Sequence, residues 1–264
     1  DQMSLQSIVL GGGTPTLLDA SQLARLCTQI AATFPNRIAD GFVASFETTP
    51  ELATPEKLAA FRLAGFNRVS IGAQSLADED LLLLGRSHQR ADVLGSFRQS
   101  REAGYDNISL DLMLGFPGHV LSRWEETVRG AIDLSPDNVS INPLMVGYYG
   151  GSEYLEHLTR RGHCRPPFKE RTEMFRYAAD SLLAAGYEKV LNFVFSKPGQ
   201  GFLYERDAFA LLDNTVGFGA GAQSTLGGEV CIHFPIISEY IRNPFMQRMV
   251  SKLRDQVRHF FRMG

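Results

Sequence analysis

The sequence predicts an α/β protein built on an open, partial parallel βα barrel, with an α+β region appended after it. Two observations support this fold class. Apolar runs alternate with segments of helical periodicity, giving five βα units in about the first 145 residues, and this alternation stops after Val146. Successive strands joined by crossover helices form one parallel sheet, whereas a closed eightfold barrel needs more units than these.

Five strands are predicted from apolar runs that are followed by turn or helix signals. They are Ser7–Gly12, Gly41–Glu47, Asn67–Gln74, Asn107–Gly115 and Asn138–Met145.

The helices between these strands are predicted from apolar residues at helical spacing. They are Asp19–Phe34, Thr54–Gly65, the segments 78–86 and 90–104, and Ser122–Leu134. Asp19 or Ser21 is a suitable N-cap for the first helix, and Pro55 suits the first turn of the second.

A soft boundary is predicted at 146–167, which divides the chain into a partial barrel, 1–150, and a C-terminal region, 151–264. The C-terminal region is expected to contain a loop with a short helix, a long helix at Phe168–Gly186, and strand and turn segments.

The composition excludes several classes of protein. Of 264 residues, 44% are hydrophobic and 21% are charged, which is ordinary for a globular domain. The net charge of -3 predicts no binding to nucleic acid or to an anionic membrane, and no apolar run is long enough to span a bilayer. Cys27, Cys164 and Cys231 are too far apart in sequence to indicate a disulfide framework or a metal site, so a reducing cytoplasm is expected.

Polar residues and glycines follow the predicted strands, at the edge where parallel sheets bind ligands. The first strand ends in Gly11–Thr14, the second ends in Glu47 and the third ends in Gln74. Arg86 lies in a short helix beyond the third strand. Asp111 lies inside the fourth strand, and Asn142 lies in the fifth. Carboxylates bind an ammonium, a sulfonium or a ribose diol, and an arginine binds a carboxylate. Together these residues predict a site for a zwitterion.

Each of these residues also has a purely structural interpretation. The glycines could form a tight turn, Glu47 could cap the helix at Pro55, and Arg86 could be solvated. Asp111 lies between two leucines, where an unpaired charge is costly, but an ion pair with Arg68 would satisfy it.

Seven motifs resemble, in order and spacing, those of radical S-adenosylmethionine enzymes such as oxygen-independent coproporphyrinogen III oxidase. They are GGGTPT, FETTPE, NRVSIGAQSL, LGRSH, NISLDLMLGFPG and VSINPL, followed later by GFGAGAQS. That family includes the oxidase, a haem chaperone, and class C methyltransferases and cyclopropanases.

The resemblance implies a role for each site residue. Gly12, Gly13 and Thr14 would contact the methionyl portion of S-adenosylmethionine, and Glu47 would bind its ammonium group. Members of the family can bind two such molecules side by side, and Gln74, Arg86 and Asp111 would hold the second, with Arg86 on its carboxylate and Asp111 on its ribose. Met145 and Gln223 align with residues that make backbone or apolar contacts to the cofactor.

The family holds a [4Fe–4S] cluster on a C-x3-C-x2-C run, and the printed sequence contains no such run. The resemblance places this run after the strand before SIVLGGG, so the ligands are expected upstream of Asp1; loss of the cluster is the alternative. No catalytic residue and no metal ligand is predicted within the chain.

The activity expected from the resemblance is reductive cleavage of S-adenosylmethionine to a 5′-deoxyadenosyl radical. The radical would serve the oxidation or methylation of a small organic substrate such as a porphyrinogen, with flavodoxin or ferredoxin as electron donor. A haem chaperone without oxidase activity, a class C methyltransferase and a scaffold without a cluster remain alternatives.

Overall fold

The computed structural model describes residues 5–34, 42–144, 152–201, 214–227, 229–245 and 247–252. It divides the chain into two compact units, Asp1–Gly201 and Phe202–Gly264. The predicted boundary at residue 150, between the partial barrel and the C-terminal region, stays a prediction. Among the described residues, no helix has the length and apolar character needed to cross a bilayer.

The first unit is built on a seven-stranded sheet in the order β1-β2-β3-β4-β5-β7-β6. Its strands are β1 (Ser7–Leu10), β2 (Val43–Thr48), β3 (Arg68–Gln74), β4 (Asn107–Leu114), β5 (Asn138–Pro143), β6 (Glu188–Leu191) and β7 (Val194–Ser196). Neighbouring strands from β1 to β5 are parallel, whereas β7 is antiparallel to both β5 and β6. The five predicted strands are therefore present in one open sheet.

Seven α-helices are described in this unit. They are α1 (Ala20–Thr33), α2 (Pro55–Leu63), α3 (Asp78–Leu83), α4 (Arg90–Glu102), α5 (Leu121–Leu134), α6 (Ser152–Arg160) and α7 (Phe168–Ala184). Asp19 caps α1 through a capping box with Gln22, which decides between the two predicted caps. Thr54 caps α2, so Glu47 does not serve as that cap.

The core lies between the sheet and these helices. Phe46 of β2 is fully buried and stacks on Phe61 of α2 at 4.1 Å between ring centroids. Phe66 and Tyr105 meet the ring of Phe46 edge-on. Trp124 of α5 is also fully buried, and its Nε1 donates to the carbonyl of Met174 in α7. These contacts hold the sheet rigidly against the helices, so residues at the ends of the strands have fixed positions.

The second unit contains a three-stranded antiparallel sheet in the order β10-β9-β8. Its elements are β8 (Gln223–Leu226), β9 (Glu229–His233), the short helix α8 (Ile237–Arg242) and β10 (Gln247–Lys252).

Candidate functional site

The strands of the first sheet have one apolar and one polar face. The alternating sequence of β4 places Leu110 and Leu112 on the apolar face and Ser109 and Asp111 on the other. Strands of parallel sheets are normally apolar on both faces, because helices cover both. The polar face is therefore suited to a polar ligand or to an internal hydrogen-bond network.

At the amino ends of the strands, an internal network satisfies the polar side chains. Asn138 donates through Nδ2 to Oδ1 of Asn107 at 2.8 Å, and Ser196 donates to Oδ1 of Asn138 at 2.6 Å. Asn107 donates in turn to the carbonyl of Gln200 at 3.2 Å. The polar side chains at this end of the sheet therefore stabilise the fold.

At the carboxyl ends, Glu47 lies against the glycines that follow β1. The backbone N–H of Gly12 donates to Oε2 of Glu47 at 3.2 Å, and Gly12 has a φ of 92°. A Cβ at Gly11 would lie 2.6 Å from Oε1 of Glu47, so no side chain fits there unless Glu47 moves. Gly13 is exposed and has open space beside it. The glycines thus leave room for the carboxylate.

The surroundings of Glu47 favour a cationic ligand. Partial desolvation raises the pKa of the Glu47 carboxyl above its usual value, although the N–H of Gly12 and the charge of Arg68 act in the opposite direction. Part of the side chain remains exposed. A bound ammonium group would favour the ionised carboxylate and form a charge-assisted hydrogen bond.

Asp111 lies on the same face as Glu47. Glu47 is opposite Ser70 in the pairing of β2 with β3, and Ser70 donates from Oγ to both carboxylate oxygens of Asp111, each at 3.0 Å. Arg68, two residues before Ser70, is buried and donates to Oγ of Ser45 at 2.9 Å. The two predicted carboxylates therefore share one surface, as the prediction requires.

Gln74 ends β3 in a left-handed conformation, with a φ of 65°. The pairing of β3 with β4 shifts register between Ile71 and Gln74. This local irregularity brings Nε2 of Gln74 to 2.9 Å from the position of a Cβ at Gly72. The glycine at 72 therefore makes room for the Gln74 amide beyond Ser70.

Arg86 does not lie in a helix, which corrects the sequence prediction. The helix α3 ends at Leu83, and Gly85, with a φ of 64°, carries the chain out of it. The side chain of Arg86 is half-buried, and its Nε is inaccessible with no hydrogen-bond partner in the part of the chain that the structure describes. A buried guanidinium N–H without an acceptor is a candidate donor to a ligand carboxylate.

His88 positions the segment that carries Arg86, a role that the sequence analysis did not assign. Its Nε2 lies 3.1 Å from the carbonyl of Ala73 at the end of β3, and its Nδ1 lies 3.3 Å from Oε2 of Glu51. Ser87 also donates to Glu51, at 2.8 Å. These contacts attach the LGRSH motif to the end of β3 and to the turn Pro50–Leu52 that follows β2.

Thr14, Met145 and Gln223 complete the set of residues predicted to contact the cofactor. Thr14 is half-buried and precedes the short turn Pro15–Leu17. Met145 lies outside the described residues. Gln223 is the first residue of β8 in the second unit, and its role stays a prediction.

A buried cluster below the loop after β4 fixes the shape of that loop. His119 accepts the backbone N–H of Gly115 at Nδ1, 3.1 Å away, so its proton is on Nε2, which lies 3.5 Å from Oδ2 of Asp80. Arg123 donates to Oδ1 of Asp80 at 2.5 Å. Burial, reinforced by the charge of Arg123, lowers the pKa of His119 to about 3.

This cluster predicts a loss of stability in mild acid. The unfolded chain binds a proton at His119 near its usual pKa of about 6.5, whereas the folded chain does not until about pH 3. Stability should therefore fall as pH decreases below about 6.5, by about 2 kcal/mol at pH 5. Urea unfolding at pH 7.5 and 5.0 should show this loss in the natural sequence and not in His119→Gln. An equal loss in both proteins would contradict the assignment.

The residues at the carboxyl ends fit S-adenosylmethionine. The ligand has an ammonium, a carboxylate and a ribose diol. The site offers Glu47 for the ammonium of one molecule, and Arg86 and Asp111 for the carboxylate and the ribose of a second; within the described residues, Nε of Arg86 has no hydrogen-bond partner. Gly11 and Gly12 supply backbone without side chains beside Glu47.

The described residues do not fit an iron–sulfur cluster. Cys27 lies on α1, Cys164 is exposed before α7, and Cys231 lies on β9 in the second unit. Across the described ranges, no three histidine, cysteine, aspartate or glutamate side chains form a group that could hold a metal ion.

Comparison with known proteins identifies the class. The profile of the Radical SAM superfamily matches residues 1–131. These residues therefore form a radical S-adenosylmethionine domain, and the chain belongs through them to that superfamily. Membership implies S-adenosylmethionine and a [4Fe–4S] cluster as cofactors.

Individual relatives show which members of this superfamily the chain is similar to. The chain is 32% identical over 245 residues to "Heme chaperone HemW" of Bacillus subtilis, covering 91% of this chain and 62% of that protein. It is 26% identical over 237 residues to "Oxygen-independent coproporphyrinogen-III oxidase-like protein HemZ" of the same organism, covering 84% of this chain and 46% of the relative. The chain thus spans less than two thirds of the length of these proteins.

A solved structure confirms the fold. Coproporphyrinogen III oxidase (HemN) from Escherichia coli superposes with a TM-score of 0.76 at 21% identity, covering 90% of this chain and 56% of that one. The predicted open parallel barrel of the radical S-adenosylmethionine type is confirmed.

Proposed function

We propose that the chain binds S-adenosylmethionine at the carboxyl ends of β1 to β4, as part of a radical enzyme that acts on a tetrapyrrole. The observation that carries this proposal is the polar face shared by Glu47 and Asp111, with Gly11 and Gly12 beside Glu47. When bound, the cofactors would supply one-electron cleavage of the sulfonium and hydrogen abstraction from the substrate.

The residues of the chain would bind and orient the cofactor. Glu47 would accept the ammonium, Gly12, Gly13 and Thr14 would contact the methionyl group, and Asp111 would accept hydrogen bonds from a ribose. A second S-adenosylmethionine would place its carboxylate on Arg86 and its polar groups near Gln74. Ligands of the cluster would come from outside the printed residues, and a flavodoxin or ferredoxin would donate the electron. We place this activity in the cytoplasm.

The names of the relatives support two alternative activities for the whole protein. The name coproporphyrinogen-III oxidase-like favours oxidation of a porphyrinogen, and the name heme chaperone favours binding of haem without turnover. Both names concern tetrapyrroles, and the same cofactor site also suits methyl transfer.

The proposed function predicts that Glu47→Gln weakens S-adenosylmethionine binding by about tenfold, because the ammonium loses a charged acceptor. The amide keeps an oxygen that can accept the N–H of Gly12, so the fold should be retained. Affinity should also fall in the natural sequence as pH decreases through the raised pKa of Glu47, since the protonated carboxyl is neutral, and this dependence should be absent from Glu47→Gln.

Isothermal titration at several pH values measures both effects. Glu102→Gln is the matched control, because Glu102 is exposed on α4 and pairs only loosely with Arg98 at 3.9 Å. Failure of the natural sequence to bind S-adenosylmethionine, or equal weakening in the two variants, would reject the proposal.

A further inference from the structure

Two arginines lie at the carboxyl ends of β4 and β5, outside the residues assigned to S-adenosylmethionine. Arg165 donates from Nε to the carbonyl of Gly115 at 3.0 Å and from Nη2 to the carbonyl of Leu144. Gly115 directly follows β4 and Leu144 directly follows β5. Arg165 therefore joins the ends of two neighbouring strands and fixes its own guanidinium at that edge.

Arg171, in the first turns of α7, reaches the same place. A Cβ at Gly115 would lie 2.7 Å from Cδ of Arg171, so the glycine at 115 makes room for this side chain. The guanidinium of Arg171 lies 5.6 Å from the centroid of the Phe168 ring. Its Nε is buried and, within the part of the chain that the structure describes, has no hydrogen-bond partner.

The two positive charges are close enough to affect each other. Burial first, and then the charge of Arg171, lower the pKa of Arg165 below its usual value. Over the described ranges, neither arginine forms an ion pair with an acidic side chain. Like charges that are partly desolvated and not neutralised are unfavourable, and a bound anion relieves both costs.

We propose that Arg165 and Arg171 form a subsite that binds a propionate carboxylate of the proposed tetrapyrrole substrate. Guanidinium groups bind carboxylates through paired, charge-assisted hydrogen bonds. Phe168 is 71% exposed beside Arg171 and offers an apolar face to a flat ring system. This inference rests on the proposed function only for the identity of the ring; the carboxylate follows from the arginines.

The probe is coproporphyrin III, which carries four carboxylates, compared with etioporphyrin, which has the same macrocycle and none. Binding to the printed chain is followed by quenching of porphyrin fluorescence. Arg171→Gln is the decisive variant, because this guanidinium makes no hydrogen bond within the described protein whose loss would harm the fold. Arg98→Gln is the matched control, since Arg98 is 73% exposed on α4.

We expect coproporphyrin III to bind at least tenfold more tightly than etioporphyrin. Arg171→Gln should weaken coproporphyrin binding by about tenfold, Arg171→Lys should weaken it less, and Arg98→Gln should leave it unchanged. The melting temperature and the affinity for S-adenosylmethionine should be the same in all variants.

Equal binding of the two porphyrins, or coproporphyrin binding that survives Arg171→Gln, would overturn the inference. The proposed function is tested separately by S-adenosylmethionine titration. If the chain binds S-adenosylmethionine but Arg171→Gln does not change coproporphyrin binding, only the subsite is rejected. If the chain does not bind S-adenosylmethionine but Arg171→Gln weakens coproporphyrin binding, only the cofactor site is rejected.

Discussion

Replacing Asp111 by alanine is expected to weaken S-adenosylmethionine binding by about ten- to a hundredfold, because hydrogen bonds to a charged acceptor contribute roughly 1.5–3 kcal/mol. Asp111 lies on the polar face of β4, and Ser70 orients both of its carboxylate oxygens. The variant removes the acceptor for the ribose and a negative charge near the sulfonium. Isothermal titration beside thermal melting measures affinity and stability separately.

The same experiment distinguishes a binding role from a structural one. If Asp111 serves only internal contacts of the protein, such as the hydrogen bond from Ser70 or an ion pair with Arg68, Asp111→Ala melts at a lower temperature and its folded fraction binds with the natural dissociation constant. Asp133→Ala is the control, because Asp133 is exposed on α5. Ser70→Ala should have a smaller effect than Asp111→Ala, since it keeps the charge.

The second large effect concerns the reaction itself. We expect the 264-residue chain to yield no 5′-deoxyadenosine above the protein-free blank after anaerobic reconstitution with iron and sulfide and reduction with dithionite. The physical reason is that reductive cleavage needs a cluster, thiolate ligation needs grouped cysteines, and Cys27, Cys164 and Cys231 are far apart in sequence. Chromatography of the quenched reaction measures the product.

The chain should nevertheless bind S-adenosylmethionine in the same preparation, which shows that the absence of product is not a failure to fold. A variant in which all three cysteines are serine is the control for adventitious iron. Product that increases with the concentration of the chain and disappears in the serine variant would contradict the prediction.

The sequence predicts the parallel sheet well because its strands have local signatures. The apolar run NISLDLML predicts β4, and the structure places its polar and apolar residues on opposite faces of the sheet. The convergence of Glu47 and Asp111 follows from the same logic, because parallel strands place their carboxyl ends at one edge.

Features that depend on contacts distant in sequence could not be predicted in this way. The helix α3 ends before Arg86 because Gly85 has a positive φ. The position of the segment after it depends on a distant contact, from Nε2 of His88 to the carbonyl of Ala73, 15 residues earlier in the chain. Arg165 reaches the end of β4 from a segment 50 residues further along the chain, and no local pattern signals that contact. Residues 188–201 likewise join the first unit because β7 pairs with β5.

The left-handed conformation of Gln74 has a consequence for engineering. A residue with a branched or long side chain is strained by about 1–3 kcal/mol at positive φ, and glycine is not. A search for thermostable variants would therefore select glycine at position 74 and delete the amide that lies over Gly72. If Gln74 contacts S-adenosylmethionine as proposed, thermal stability and ligand binding make opposite demands on this position.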